Sequence, residues 1–231
     1  MSTRIASFDI GKVNFAFCIE EFDKECLMKV KNPAKGCRYN PNGTPTDFMS
    51  KTLNEVCNNG KIILFKNSDL TERCVKGSYL DPETFHNMID LLDQYKDLWE
   101  TCDAFVIEQQ MAFRGKRNPM AVKLGQHCYS YFCFNYGRFK SYIEFPAYHK
   151  TEVLGSEKIK GKKTKNGWKW KNIDKPARKK WSIKKAQELL DKRGEGNMLS
   201  ILKTTKKKDD LADVFCQLQA FKYLCYVDRS I

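Results

Sequence analysis

The stretch RIASFDIGKVNFAFCIEEF, residues 4–22, decides how the rest of the chain is read. Residues 4–10 are apolar and partly β-branched, as a buried strand requires. Residues 13–22 place Phe15, Phe17 and Ile19 on alternate positions, the period-two pattern of a second strand. Gly11 between them is the residue type that a tight hairpin turn uses. The chain therefore opens on a hairpin with a carboxylate, Asp9, near the end of its first strand. Side chains alternate along a strand, so Phe8 and Ile10 face away from it.

Residues 23–60 change character. Pro33, Pro41, Pro45, Gly36 and Gly43 interrupt them, with a weak helical pattern over 48–56, and they read as a loop-rich insertion. A third strand is expected at 61–66. Residues 82–99 carry the clearest helical pattern: Asp81 is suited to the N-cap, Pro82 to the first position, and Phe85, Met88, Ile89, Leu92, Tyr95 and Trp99 recur at helical spacing. A strand at 104–108, a helix at 119–136 and a strand at 142–145 follow. Residues 155–178 form a basic, flexible loop too polar to pack. A basic helix over 178–193 and a final helix over 209–226 complete the chain. This order predicts an α/β fold, a mixed five-stranded sheet flanked by helices, in a single domain spanning 1–231.

The +13 formal charge is concentrated in one third of the sequence. Between Arg138 and Lys208 stand 22 basic residues against 7 acidic ones, whereas the remainder carries 19 against 21. A block of this kind attracts a polyanion, because every phosphate it neutralises releases counterions. The ten cysteines are scattered, without a C-x-x-C pair. Cys18, Cys133, Cys216 and Cys225 lie in apolar runs and read as core residues of an intracellular protein in a reducing compartment. His86, His127 and His149 have no partner at zinc-ligand spacing. No apolar run reaches the roughly 20 residues of a membrane span, so no membrane partner is expected.

Three acidic positions sit within or at the end of apolar elements: Asp9, Glu108 at the end of AFVIE, and the pair in KKDDLADVF. Asp210 and Asp213 are three apart and Asp209 and Asp213 four apart, so either pair shares a helix face. Each carboxylate alone is explained by a salt bridge, or by capping in the case of Asp209 and Asp210. Together they form the oxygen-rich cluster that Mg²⁺ requires, with Mn²⁺ as a substitute. Two such ions activate water and stabilise the leaving oxygen in phosphodiester cleavage.

FDIGKVN, VIEQQ and DDLADVF, in that order and with a basic stretch before the last, resemble the RuvC-type Holliday-junction resolvases of the RNase H-like superfamily. The branch of poxviruses, other large DNA viruses and yeast mitochondria is the most similar, through the D-x-G-x-x-N pattern of Asp9, Gly11 and Asn14. IEFPAYHKTEV resembles the segment after the fifth strand of that group, which ends in a lysine close to the DNA. The resemblance implies an RNase H-like homodimer that cuts two opposed strands of a four-way DNA junction with Mg²⁺ or Mn²⁺, and no small-molecule substrate. It implies Asp9, Glu108, Asp210 and Asp213 as catalytic metal ligands, with Asp209 the alternative to Asp210. For a viral chain, the compartment is the cytoplasm or nucleus of the infected cell.

The expected DNA contacts are Lys12, Asn14, Arg114, Lys116, Arg117, Lys150, Lys160, Lys162, Lys163 and Lys184. Phe113 is a candidate wedge or dimer contact, with a core role as the alternative. Trp168 and Trp170 are expected to pack inward from a small strand, with stacking on bases as the alternative. Three other functions compete. Actin-like kinases also begin with D-x-G but need a duplicated domain that 231 residues do not supply. An RNase H or integrase-type nuclease shares the cluster chemistry. A non-catalytic DNA-binding protein of this fold has no reason to keep four acids together.

Overall fold

The computed structural model describes residues 2–110, 118–165 and 167–231. Strands β1 (Ser2–Asp9) and β2 (Phe15–Asp23) are followed by helices α1 (Lys24–Lys29) and α2 (Asp47–Asn58) and by β3 (Lys61–Ser68). Next come α3 (Pro82–Asp93), α4 (Lys96–Glu100), β4 (Ala104–Gln109), α5 (Pro119–Tyr136), β5 (Ser141–Pro146) and α6 (Tyr148–Val153). A hairpin of β6 (Ile159–Thr164) and β7 (Gly167–Lys171) leads to α7 (Lys175–Lys192), α8 (Gly196–Thr204) and α9 (Lys208–Lys222). A π-helical turn, Tyr223–Asp228, continues α9.

The main sheet has the order β3-β2-β1-β4-β5. β1 pairs antiparallel with β2 and parallel with β4, and β4 pairs parallel with β5. β1 is central and covered on both faces, which is why Ile5, Ala6, Ser7 and Phe8 are all buried rather than alternating with polar residues. Parity divides these side chains between two cores. Ala6, Phe8, Phe105 and Ile107 join a cluster with α3, α4 and α5. Ile5, Ala104 and Val106 join the other, with α2, α7 and α9. Continuing the odd series of β1 and the even series of β4 places Asp9 and Glu108 on the α9 face.

Several elements differ from the sequence expectation. The β1–β2 connection runs over residues 10–14, with Asp9 opposite Ala16, and is wider than a tight turn. Gly11 is needed there for close approach, since a Cβ would lie 2.5 Å from the Asn14 carbonyl oxygen. The helix expected over 82–99 breaks into α3 and α4, and the Trp99 indole N–H donates to the Leu92 carbonyl across the break, 2.7 Å away. Segment 23–60 is more ordered than a loop-rich insertion. Asp23 caps α1, Thr46 caps α2, and Leu27, Met49, Leu53, Val56 and Cys57 enter the α9-side core. The segment expected as a basic flexible loop contains the β6–β7 hairpin; Trp170 is half-buried, but Trp168 does not turn inward and is 49% exposed, with Lys160 Nζ 5.5 Å from its ring centre.

Beside α9 lies a fully buried charge network. Glu20 on β2 accepts from Arg193, from Lys222 Nζ at 2.7 Å and from Gln219 Nε2 at 2.5 Å. Burial raises the pKa of Glu20, but Arg193 and Lys222 override it and hold the carboxyl below its ordinary value. No helix among the described residues is long and apolar enough to cross a membrane.

Candidate functional site

The C-terminal ends of β1 and β4 lie side by side, with Phe8 registered on Ile107, so Asp9 and Glu108 emerge as neighbours from adjacent parallel strands. The third contribution comes from α9, which is buried along nearly its whole length between the sheet and α7. One side chain ties this end of it to the sheet. Gln217 Nε2 donates to Ser7 Oγ (3.1 Å), the Phe8 carbonyl (3.2 Å) and the Val106 carbonyl (3.3 Å). These groups sit one or two residues before the strand carboxylates. Asp213 precedes Gln217 by one helical turn and Asp210 by two, so the hook that seats α9 also brings both acids to the end of the sheet.

Lys150 stands in the middle. Only 5% exposed on α6, it places Nζ 2.9 Å from Glu108 Oε2 and 3.2 Å from Asp213 Oδ2. Burial works against its charge, but Glu108, Asp213 and Asp9 overcome that and hold the amine's pKa above the ordinary lysine value. Asp9 feels the same crowding with the opposite sign. Burial, then Glu108, raises its carboxyl well above the usual range, Lys150 offsets part of this, and Asp213 and Asp210 add to it. Asp213 Oδ1 also accepts from Ser182 Oγ on α7 at 2.6 Å.

Asp209 and Asp210 are adjacent but face different surroundings. Asp209 is paired with Lys179 on α7, and despite burial that ion pair holds its pKa down. Asp210 has a buried oxygen, Oδ2, with no hydrogen-bond partner. Burial and the neighbouring Asp209 push its pKa up to about 6. The geometry therefore brings together Asp9, Glu108, Asp213 and Lys150, with Asp210 rather than Asp209 acting on Asp9.

The donor set is all oxygen, without thiol or imidazole, which is the chemistry of a hard divalent cation. The orphaned Asp210 oxygen is a buried acceptor of the kind a hard cation would satisfy. Among the described residues no three His, Cys, Asp or Glu side chains already form a metal-binding group. Lys150 supplies the positive charge between Glu108 and Asp213. By donor chemistry, though not by a preformed group, the carboxylates fit a hard divalent ion.

The expected DNA contacts are distributed unevenly. Lys150 is not a surface lysine but the buried partner of the acids, because α6 turns it inward immediately after β5. Lys12 Nζ donates to the Ser78 carbonyl at 2.9 Å, and Asn14 is half-buried just before β2. Lys160, Lys162 and Lys163 are exposed on β6, and Lys184 is exposed on α7. Arg114, Lys116, Arg117 and Phe113 lie outside the described residues. His127 packs on Phe85 and His149 on Tyr148 and Phe145, all as aromatic contacts. Sequence reasoning missed Ser182, Lys179 and Gln217. Only Gln217 left a signal, as a polar residue inside the apolar stripe of α9.

The chain is 37% identical to the uncharacterized protein 170L of Invertebrate iridescent virus 6, over 97% of this chain and 91% of that protein. It is 28% identical to the uncharacterized protein 97L of Invertebrate iridescent virus 3, over 94% and 98%. No family profile matches it. Among solved structures it resembles the fowlpox virus resolvase in complex with Holliday junction DNA, with TM-score 0.53, 17% identity, and coverage of 96% of this chain and 99% of that one. A second structure, of the fowlpox virus Holliday junction resolvase, gives TM-score 0.51 at 15% identity, over 95% and 98%. The fold is that of the fowlpox virus resolvase.

Proposed function

The chain belongs to the protein family of the iridescent virus protein 170L, and from that premise we propose that it is a metal-dependent endonuclease that resolves four-way DNA junctions in recombination or in processing replicated DNA. The observation that carries this reading is the meeting of Asp9, Glu108 and Asp213 around Lys150 at one end of a resolvase-type sheet, with Asp210 near enough to act on Asp9. Symmetric cutting follows from a homodimer, for which Phe134 and Phe139, 89% and 99% exposed at the end of α5 and just beyond it, offer apolar surface.

Asp9, Glu108, Asp210 and Asp213 would hold Mg²⁺, with Mn²⁺ as a substitute. When bound, the metal supplies a nucleophilic water at neutral pH and stabilises charge on the leaving oxygen. The protein's own residues do the positioning. Gln217 fixes the acids relative to one another, and Ser182 orients Asp213. Lys150 limits repulsion between Glu108 and Asp213 and leaves less negative charge facing an incoming phosphate. Exposed Lys160, Lys162, Lys163 and Lys184 supply sequence-independent backbone attraction. Lys12, Asn14, Arg114, Lys116 and Arg117 remain part of the proposed DNA face.

The test is to incubate the protein with labelled four-way junction, linear duplex and RNA–DNA hybrid, with Mg²⁺ and with Mn²⁺. Paired nicks at symmetric positions in the junction, with duplex and hybrid spared, are the expected result. Preferential loss of the hybrid would overturn it in favour of an RNase H activity.

A further inference from the structure

One cavity lies apart from the carboxylate cluster. It encloses about 330 Å³ between the turn at 40–44, α6, the base of the β6–β7 hairpin and the start of α7. Its outer wall is preformed: Gly43 N–H donates to the Asn40 carbonyl and Asn40 N–H to the Thr44 carbonyl, each at 2.8 Å. Gly43 has φ +82°, and a Cβ there would lie 3.0 Å from the Ser156 carbonyl oxygen, so this wall closes tightly on the segment that leads into the hairpin.

The lining has the chemistry of nucleotide recognition. Tyr148 is 54% exposed, with its ring centre 4.3 Å from that of His149. Asn172, Glu152 and Ser156 supply donors and acceptors of the kind that reads base edges. Ser156 is buried, and its hydroxyl has no partner. Arg178 adds a cation at the rim. Position relative to the carboxylates is set by α6. Tyr148 and Glu152 lie two residues either side of Lys150, about 200° around the helix, so they face away from the carboxylate cluster that Lys150 enters. A helix is about 10–12 Å across. A stacked strand advances about 3.4 Å per nucleotide, so roughly three nucleotides span the distance.

We propose that this cavity is a nucleotide subsite that takes one unstacked base of the strand being cut, about three nucleotides from the scissile phosphate. Tyr148 stacks on the base, Asn172 reads its edge, and Arg178 meets its phosphate. This assignment rests on the endonuclease reading above and gives segment 23–60 a function: it builds the wall that makes the subsite selective.

Junctions carrying 5-iododeoxyuridine at single positions near the crossover, irradiated with the full-length protein in EDTA, test it by mass-spectrometric mapping of the attachment site. The expected result is attachment to Tyr148 from one position only. Tyr148→Leu should abolish that attachment at saturating protein and weaken junction binding about tenfold, the size of one stacking interaction. Because Tyr148 is largely exposed, folding of the variant is not at issue, and Asn172→Ala should separately flatten any base preference at that position. Attachment only to Trp168 or Trp170, or to Tyr148 from every position alike, overturns the subsite. Cleavage is scored in parallel. A protein that nicks junctions without position-specific attachment loses the subsite and keeps the activity, whereas position-specific attachment with no nicking does the reverse.

Discussion

Lys150 and Glu108 meet at 2.9 Å, and the same ammonium lies 3.2 Å from Asp213, so one buried cation serves two carboxylates from different elements. Removing one partner of a buried ion pair leaves the others uncompensated, at about 3–5 kcal/mol. Lys150→Met should therefore destabilise the metal-free protein by an amount of that order. Denaturant melts with EDTA and with Mg²⁺ check this. Mg²⁺ should restore more stability to the variant than it adds to the wild type, and an equal gain in both would show that metal and lysine do not share the carboxylates.

Asp210 gives a test with a definite sign. Its folded pKa of about 6 lies above the ordinary aspartate value, so the fold prefers the protonated form. The stability this lends is fully present below pH about 4, the unfolded aspartate range, and is lost as pH rises through the folded value. Above that range the ionised carboxylate is a liability without metal. Asp210→Asn should then raise the stability of metal-free protein at pH 7.5 by about 1 kcal/mol after allowance for solvent screening, roughly 2–4 °C in Tm. The gain should shrink as pH falls toward about 4. Thermal melts at several pH values in EDTA decide it, and cleavage by the variant should fall by at least about a hundredfold.

Asp9→Asn removes a proposed ligand and a negative charge in one step. Junction cleavage should be abolished while junction binding in Ca²⁺ is kept or tightened, as read by gel shift. Loss of binding together with cleavage would assign Asp9 to folding instead.

Neutralising Lys160, Lys162 and Lys163 together should weaken junction binding and reduce the slope of log affinity against log salt by up to about 2.7, at about 0.9 for each phosphate no longer neutralised. A salt titration of wild type and triple variant reads this directly. An unchanged slope removes β6 from the DNA face.

The two strand carboxylates were legible because alternation in a strand is a rule of geometry: Phe8 and Ile107 fix which way Asp9 and Glu108 must point. The helix pair was legible only to within one residue. Asp209 and Asp210 are equally well spaced from Asp213, and what separates them is Lys179, 30 residues away on α7. Lys150 was visible as a lysine of interest but not as a buried one, because the six residues of α6 are too few to show a period. Residues 23–60 read as irregular because α1 has only six residues and the prolines at 33, 41 and 45 break the pattern ahead of α2. Leu27 and Met49 become core residues only once α9 and the π-turn lie beside them.

The Gln217 hook also has a consequence in time. It ties α9 to the Ser7, Phe8 and Val106 region across more than 200 residues of chain at its widest. During synthesis, the first strand is made long before the helix that completes the cluster. A nascent or truncated chain ending before Asp210 would hold Asp9 and Glu108 without the two remaining acids, and its sheet would lack the helix that covers one face. Assembly of the carboxylates is thereby coupled to synthesis of α9, so partial translation products that stop short of it should be inert toward DNA backbones and prone to aggregate through the uncovered face.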